Sequence, residues 1–459
     1  MKKKTIFMLM FCCAGMQLDA QRPTGMSLED LFAMADKSSQ QLRVSLTAYE
    51  AEAEGVKAAK SQRLPDVHLS LTGSYIGTAS VLSRGFSSSG VTTVPYTIGM
   101  GEVKNGTQPT PHWGNDFVAQ VTQVIYAGGG ITAGIRMAEQ SERMALLDKE
   151  KNRQEVRFLL TGHYLELCKL TNQLEVVRKN IELAEQVLKT MRSRHEQGTV
   201  LKNDITRYEL QLKSLRLNET QIQNARRIIN HQLVTTLHLP DSTLIHPRRA
   251  ELTAPLEGVE AGGWEHLSER AWQQRAAEGN LSLRQAELVA DRSEQALKAV
   301  RSTTLPSLAL VAENRLSGPF LNDFVPVNAN VNTWFIGLGI KYQLGSLWRQ
   351  SPAVRQARLA VRQSREQVVL AHEEVSKAVQ AEYVNLQTAL VEVETQKKQV
   401  ALADEHYQVT QNRYENGLAL LTDMLDASHM RLSAGIGLVN AQIHLIYNYY
   451  KLKYITHSL

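Results

Sequence analysis

The sequence predicts an α+β chain in which long antiparallel coiled-coil helices alternate with pairs of short strands. Three observations carry that prediction. Of 459 residues, 43% are apolar, 21% charged and only 6% aromatic, a mixture rich in Leu, Ala, Gln, Glu, Lys and Arg that favours long helices. Apolar residues then recur every seven positions over two proline-free stretches, 130–197 and 353–416. Finally, the whole pattern is written twice.

The repeat shows in four landmarks. Arg194-His195-Glu196-Gln197-Gly198 returns as Arg413-Tyr414-Glu415-Asn416-Gly417, an offset of 219, and an aspartate follows each glycine six residues on, Asp204 and Asp423. Phe117-Val118-Ala119 returns as Phe335-Ile336-Gly337 at offset 218, and Leu64-Pro65-Asp66-Val67 as Leu305-Pro306-Ser307-Leu308 at offset 241. A second copy shortened between its two strands accounts for the change in offset. The boundaries are therefore a first repeat over 21–240, a linker over 241–263 and a second repeat over 264–459.

Residues 1–20 read as a signal peptide. Met1-Lys2-Lys3-Lys4 is basic, Thr5 to Gly15 is apolar but too short to span a bilayer, and Ala20 is a small residue at a cleavage point. A retained N-terminal anchor is the alternative. Cys12 and Cys13 follow bulky Phe11, which argues against lipidation. Cleavage leaves Cys168 alone, so no internal disulfide can form, and removing three lysines and one aspartate lowers the net charge from +5 to +3. So small a charge excludes a nucleic-acid binder and says little else. The rest of the chain has no apolar stretch of about 18 residues, which leaves a soluble, peripheral or β-barrel protein.

Each repeat reads helix, strand, loop, strand, long helix, turn, helix. In the first copy the helix covers 27–63, capped by Ser27 and closed by Pro65. Strands over 66–77 and 117–127 follow, then a long helix over 130–197 and another over 200–238. The second copy runs helix 264–304, strands 307–316 and 333–344, long helix 350–416 and helix 419–456. Val67 to Tyr75 and Trp334 to Tyr342 alternate apolar with small or polar residues. That is period two with one greasy face, at a length that suits a tilted outer-membrane strand as well as a sandwich edge. The loop from Gly77 to Asp116 is long, that from Ser317 to Asn332 shorter. Leu160, Leu167, Leu174, Ile181 and Leu188 form one heptad row, with His163, Leu170, Val177, Ala184 and Met191 beside it. Val379, Leu386, Val393, Val400 and Tyr407 form the row of the second copy, with Ala389 and Ala403 next to it. At 1.5 Å per residue each long helix measures about 100 Å, a length that suits a duct or spacer. Gly198 and Gly417 supply the left-handed residues at the turns. Ala127-Gly128-Gly129-Gly130 reads as a flexible strand-to-helix joint.

Four strands cannot close a barrel, and an open edge is not tolerated in lipid, so several chains must share one barrel. No His-Glu-x-x-His, Walker or serine-elbow motif occurs. No catalytic constellation, metal site or cofactor is read from the sequence.

Strand pairs and long hairpins, duplicated in an exported chain, resemble the TolC-like outer-membrane efflux family. Arg413 to Ala427 is similar to its second periplasmic tip, and Val124-Ile125-Tyr126-Ala127-Gly128-Gly129 to its strand-to-helix junction. The resemblance implies a homotrimer with a twelve-stranded barrel and a helical tunnel. It implies a Gram-negative outer-membrane location and work with a periplasmic adaptor and an inner-membrane transporter, in tripartite efflux or type I secretion. A periplasmic coiled-coil adaptor is the alternative, but it would need one hairpin and larger β-domains. The resemblance further implies that Asp423 and Asp426 line the entrance as a cation-selective constriction; charge stabilising a helix N-terminus is the plainer reading. It pairs Tyr414 with Asp204 as a gate latch, against simple packing at the turn. Ala419 stands where the arginine of a second latch is expected. Trp113 and Trp334 are candidate membrane-interface anchors or ordinary packing residues.

Overall fold

The computed structural model describes residues 25–75, 112–248, 268–319 and 329–459. The signal peptide, most of the first inter-strand loop and most of the linker read from the sequence lie outside the described residues. The elements are α1 (Leu28–Ser38), α2 (Gln40–Ser61), β1 (Asp66–Tyr75), β2 (Trp113–Ala127), α3 (Gly130–Glu196), α4 (Lys202–Thr236), α5 (Glu269–Gly279), α6 (Leu281–Ser302), β3 (Ser307–Gly318), β4 (Val331–Lys341), α7 (Ser346–Arg349), α8 (Ser351–Glu415) and α9 (Leu421–Ile455). They form two compact units. One gathers the residues up to Tyr49 with Ala145–Gln285 and Val368–Leu459; the other gathers Glu50–Met144 with Ala286–Gln367. Each unit draws on matching parts of both repeats.

The two helices read as continuous over 27–63 and 264–304 are each broken in two. Ser39 and Asn280 take extended backbone (ψ 124° and 117°), and their N–H groups donate back to the carbonyls of Ala35 and Ala276. Both break residues are buried. The Asn280 side chain restarts the next helix, accepting from the N–H groups of Ser282 and Leu283. Ser38 secures the first break by donating to the carbonyl of Leu237. No proline marks either break, and only the second carries a glycine, Gly279, where a Cβ would lie 2.7 Å from the Thr456 carbonyl oxygen; helical periodicity reads straight through both.

The breaks lie 241 residues apart, and so do the caps: Ser27 accepts from the N–H of Asp30, and Ser268 from that of Ala271. Leu31 and Trp272, at the same offset, are both buried. At the far end of each copy, α4 and α9 finish on His238 and His457, 219 apart, both at φ 53°. Left-handed backbone is uncommon for a residue with a Cβ. It persists here because the turn it creates satisfies helix-end carbonyls: Leu239 donates to Val234, and Ser458 to Lys453.

Within the first unit the heptad rows become the seam. Leu174, Val177, Ala184, Leu188 and Met191 of α3 are buried against Tyr208, Leu212, Leu215 and Ile222 of α4, while Leu160 and Leu167 are buried with Leu233 and Val234. Ion pairs Arg192–Glu209 (2.7 Å), Arg216–Glu185 (2.7 Å) and Arg178–Glu219 (2.8 Å) flank it. Exposed pairs contribute little energy, so the apolar seam sets the stability. Helix α9 joins α3 through a Gln173–Asn440 hydrogen bond (2.7 Å), with Gly435 under Val176. Helix α8 joins α9 through Val379, Leu386, Ala389 and Val393.

The second unit carries a four-stranded antiparallel sheet in the order β1-β2-β3-β4. Its joint to α3 is tightly specified rather than flexible. Gly128 and Gly129 have φ of 61° and 83°, and a Cβ on Gly128 would lie 2.6 Å from the carbonyl oxygen of Ser302. Gly129 faces open space. Gly129→Ala should therefore cost only the left-handed strain, about 1–2 kcal/mol. Gly128→Ala should cost clearly more, because backbone must move; thermal unfolding of the two variants side by side checks the order.

Candidate functional site: a two-faced sheet and two helical tips

Strand register assigns every sheet residue to a face. One face collects Val67, Leu69, Leu71, Tyr75, Trp113, Phe117, Val121, Leu310, Leu316, Trp334, Ile336, Leu338 and Ile340. The other is mostly polar, with Asp66, His68, Ser70, Thr72, Asp116, Gln120, Thr122, Glu313, Arg315, Thr333 and Lys341, and carries Val118, Val124, Val311 and Phe335 among them. The apolar face is bare: Leu71 and Ile340 are 76% and 75% exposed. On the polar face Arg315 makes a two-pronged ion pair with Asp116, 2.8 and 2.9 Å. A soluble protein would bury so large an apolar surface. Its alternation with a polar face is the pattern of a barrel wall between lipid and water.

Of the two tryptophans, Trp113 opens β2 and stacks edge-on against Tyr75 at the loop end of the sheet. Trp334 is the fourth residue of β4, opposite Asn314. Both are more than 70% exposed on the apolar face.

The tips belong to the first unit. Gly198 and Gly417 take φ of 77° and 73°, and at each the chain donates back into the helix just ended: Thr199 to Arg194, Leu418 to Arg413. The long helices stop there because only a residue without Cβ makes that turn cheaply. Tyr414 is half-buried beside α3 and α4. Burial first, then the negative charge of Asp204, pushes its hydroxyl above the usual tyrosine range, with Arg194 opposing. Asp204 is thus close, yet among the described residues no hydrogen bond joins the two side chains. Tyr208 of α4 completes a cluster the sequence reading missed: it is buried, and its hydroxyl is pushed up by burial and by Tyr407 and Tyr414. Its place one turn beyond Asp204 was the available signal.

Asp423 and Asp426 lie on the exposed side of α9, while Met424 and Ala427 between and after them are fully buried. The structure separates the two acids. The Asp423 carboxylate accepts the Leu420 N–H at 3.0 Å and so caps the helix; Asp426 has no such bond.

These features match one protein family, described as outer membrane efflux protein, over residues 31–237 and 272–453. The chain belongs to the outer membrane efflux protein family. Solved structures share its fold. The outer membrane protein VceC of Vibrio cholerae superposes with a TM-score of 0.72 at 15% identity, covering 94% of this chain and 95% of its own. The CmeC outer membrane channel of Campylobacter jejuni gives 0.67 at 16%, covering 94% and 85%. CusC gives 0.73 at 13%, covering 94% and 91%. No curated protein sequence matches the chain. This efflux protein is therefore a channel of the Gram-negative outer membrane with its helical tunnel in the periplasm. Its family is a family of conduits, not of enzymes.

The faces of the efflux channel's sheet can be told apart by charge. Leu338→Arg, on the apolar face, should lose about 2–4 kcal/mol near the bilayer midplane, and Thr122→Arg, on the polar face, far less. Yield of folded, heat-modifiable oligomer from outer membranes would decide this; equal yields would reverse the assignment.

Proposed function

We propose that three copies of the chain form one passive, gated duct, through which cargo leaves the periplasm after delivery by an inner-membrane transporter and a periplasmic adaptor. The observation that carries the reading is the four-stranded sheet itself. It has a lipid-type face and a water-type face, and its edge strands β1 and β4 each have one neighbour among the described residues. In hydrocarbon those edges must be paired, and joining β1 of one copy to β4 of the next closes the ring. Three copies give twelve strands. The adaptor reading is weaker, because an adaptor has no use for an exposed apolar sheet.

At the entrance, Asp423 and Asp426 from three copies would place six carboxylates in one constriction, which favours cations. Since Asp423 also caps α9, Asp426 is the cleaner probe of pore charge. In planar bilayers Asp426→Asn should lower cation selectivity, and Asp423→Asn with Asp426→Asn should lower it further and weaken block by multivalent cations. Unchanged selectivity in the double variant would exclude the constriction.

For the gate, the reading is that closure draws Tyr414 onto Asp204, a single hydrogen bond of about 1 kcal/mol that an adaptor can break. With Ala419 in place of a second latch, this contact and the tyrosine packing carry the closure. Tyr414→Phe should raise the resting single-channel conductance while leaving the oligomer intact. A conductance equal to wild type would show that the hydroxyl does not hold the entrance.

A further inference from the structure

Helices α8 and α9 enclose an open groove that none of the roles above uses. It is lined by one stripe from each helix: Gln399, Leu402, Ala403 and His406 from α8, and His429, Met430, Ser433 and Gly437 from α9. The antiparallel register is fixed on both sides. Arg431 ion-pairs with Asp404 at 2.5 Å, and Gln396 lies over Gly437. His406 stands two residues past Asp404 and His429 two residues before Arg431, so the two residues hold facing register positions and both line the groove. Both are exposed, and among the described residues neither ring has a hydrogen-bond partner. The thioether of Met430 is 58% exposed beside them.

Two imidazoles that line one groove from packed helices can share one cation. Neutral imidazole is the commonest protein ligand for transition metals and suits Zn²⁺, Ni²⁺ and Cu²⁺, whereas Mg²⁺ and Ca²⁺ want oxygen ligands. Among the described residues no point gathers three or more His, Cys, Asp or Glu side chains. The arrangement is therefore two imidazoles with water, and Met430 at hand, rather than a closed structural site. An open, two-ligand site suits a cation that binds and leaves. His429 also shares the exposed face of α9 with Asp423 and Asp426, whose negative charge raises the local concentration of cations.

We propose that His406 and His429 bind an imidazole-preferring divalent transition-metal cation across the α8–α9 hairpin, a site separate from the aspartate pair.

The test is titration calorimetry of the full-length protein in detergent with Zn²⁺ and Ni²⁺ at pH 7.5. Wild type should bind both with no competition from excess Mg²⁺. His406→Gln with His429→Gln should weaken binding at least tenfold, while His372→Gln, an exposed histidine of α8 outside the groove, should leave it within a few-fold of wild type. Equal binding by wild type and the double histidine variant would overturn the proposal. So would Mg²⁺ competition, which would point to the carboxylates. Because the substituted residues are exposed, recovery of heat-modifiable oligomer confirms that each variant is folded.

Discussion

Every backbone N–H and C=O in hydrocarbon must find a protein partner, and a four-stranded sheet leaves two edges that cannot comply alone. That constraint explains more of this efflux channel than any single contact. It makes association obligatory and demands period-two alternation along strands of 10 to 15 residues. It also explains why apolar side chains such as Leu71 and Ile340 stand bare in one chain. Stability here therefore belongs to the assembly, and a folded lone chain would present both a lipid-seeking face and adhesive edges.

Duplication supplies the geometry but not equivalent chemistry. The caps at Ser27 and Ser268, the breaks at Ser39 and Asn280 and the left-handed histidines at 238 and 457 recur at the two offsets of the repeat. The copies also diverge. Only the first has the crowded glycine joint, where Gly128 meets the end of α6. Only the second carries an acid pair on the exposed side of its returning helix, and only it faces two histidines across a hairpin. Two hairpins of nearly the same length thus carry different side chains at their tips.

Much of this was legible in the residues. The heptad rows named the buried seam almost residue by residue, and the strand alternation separated the two sheet faces. Glycine marked both tips, because a left-handed turn after a long helix leaves few other choices. What stayed hidden followed from contacts that periodicity does not encode. The breaks at Ser39 and Asn280 depend on partners 199 and 175 residues away, Leu237 and Ile455. The Gly128 joint looked loose because its reason, the Ser302 carbonyl, lies far along the chain. The Arg315–Asp116 pair needs the β2–β3 register before it can be seen.

The two aspartates show why chemistry at a tip cannot be divided into structure and function by position alone. Both occupy the first turns of α9, where negative charge stabilises the helix whatever else it does. Asp423 spends part of its carboxylate on the Leu420 N–H, so its charge is held in one place by the backbone it caps. Asp426 shares the face, one turn on, without that tether. The plain reading and the proposed one are thus compatible at Asp423, since the bond that caps the helix also fixes where its charge sits.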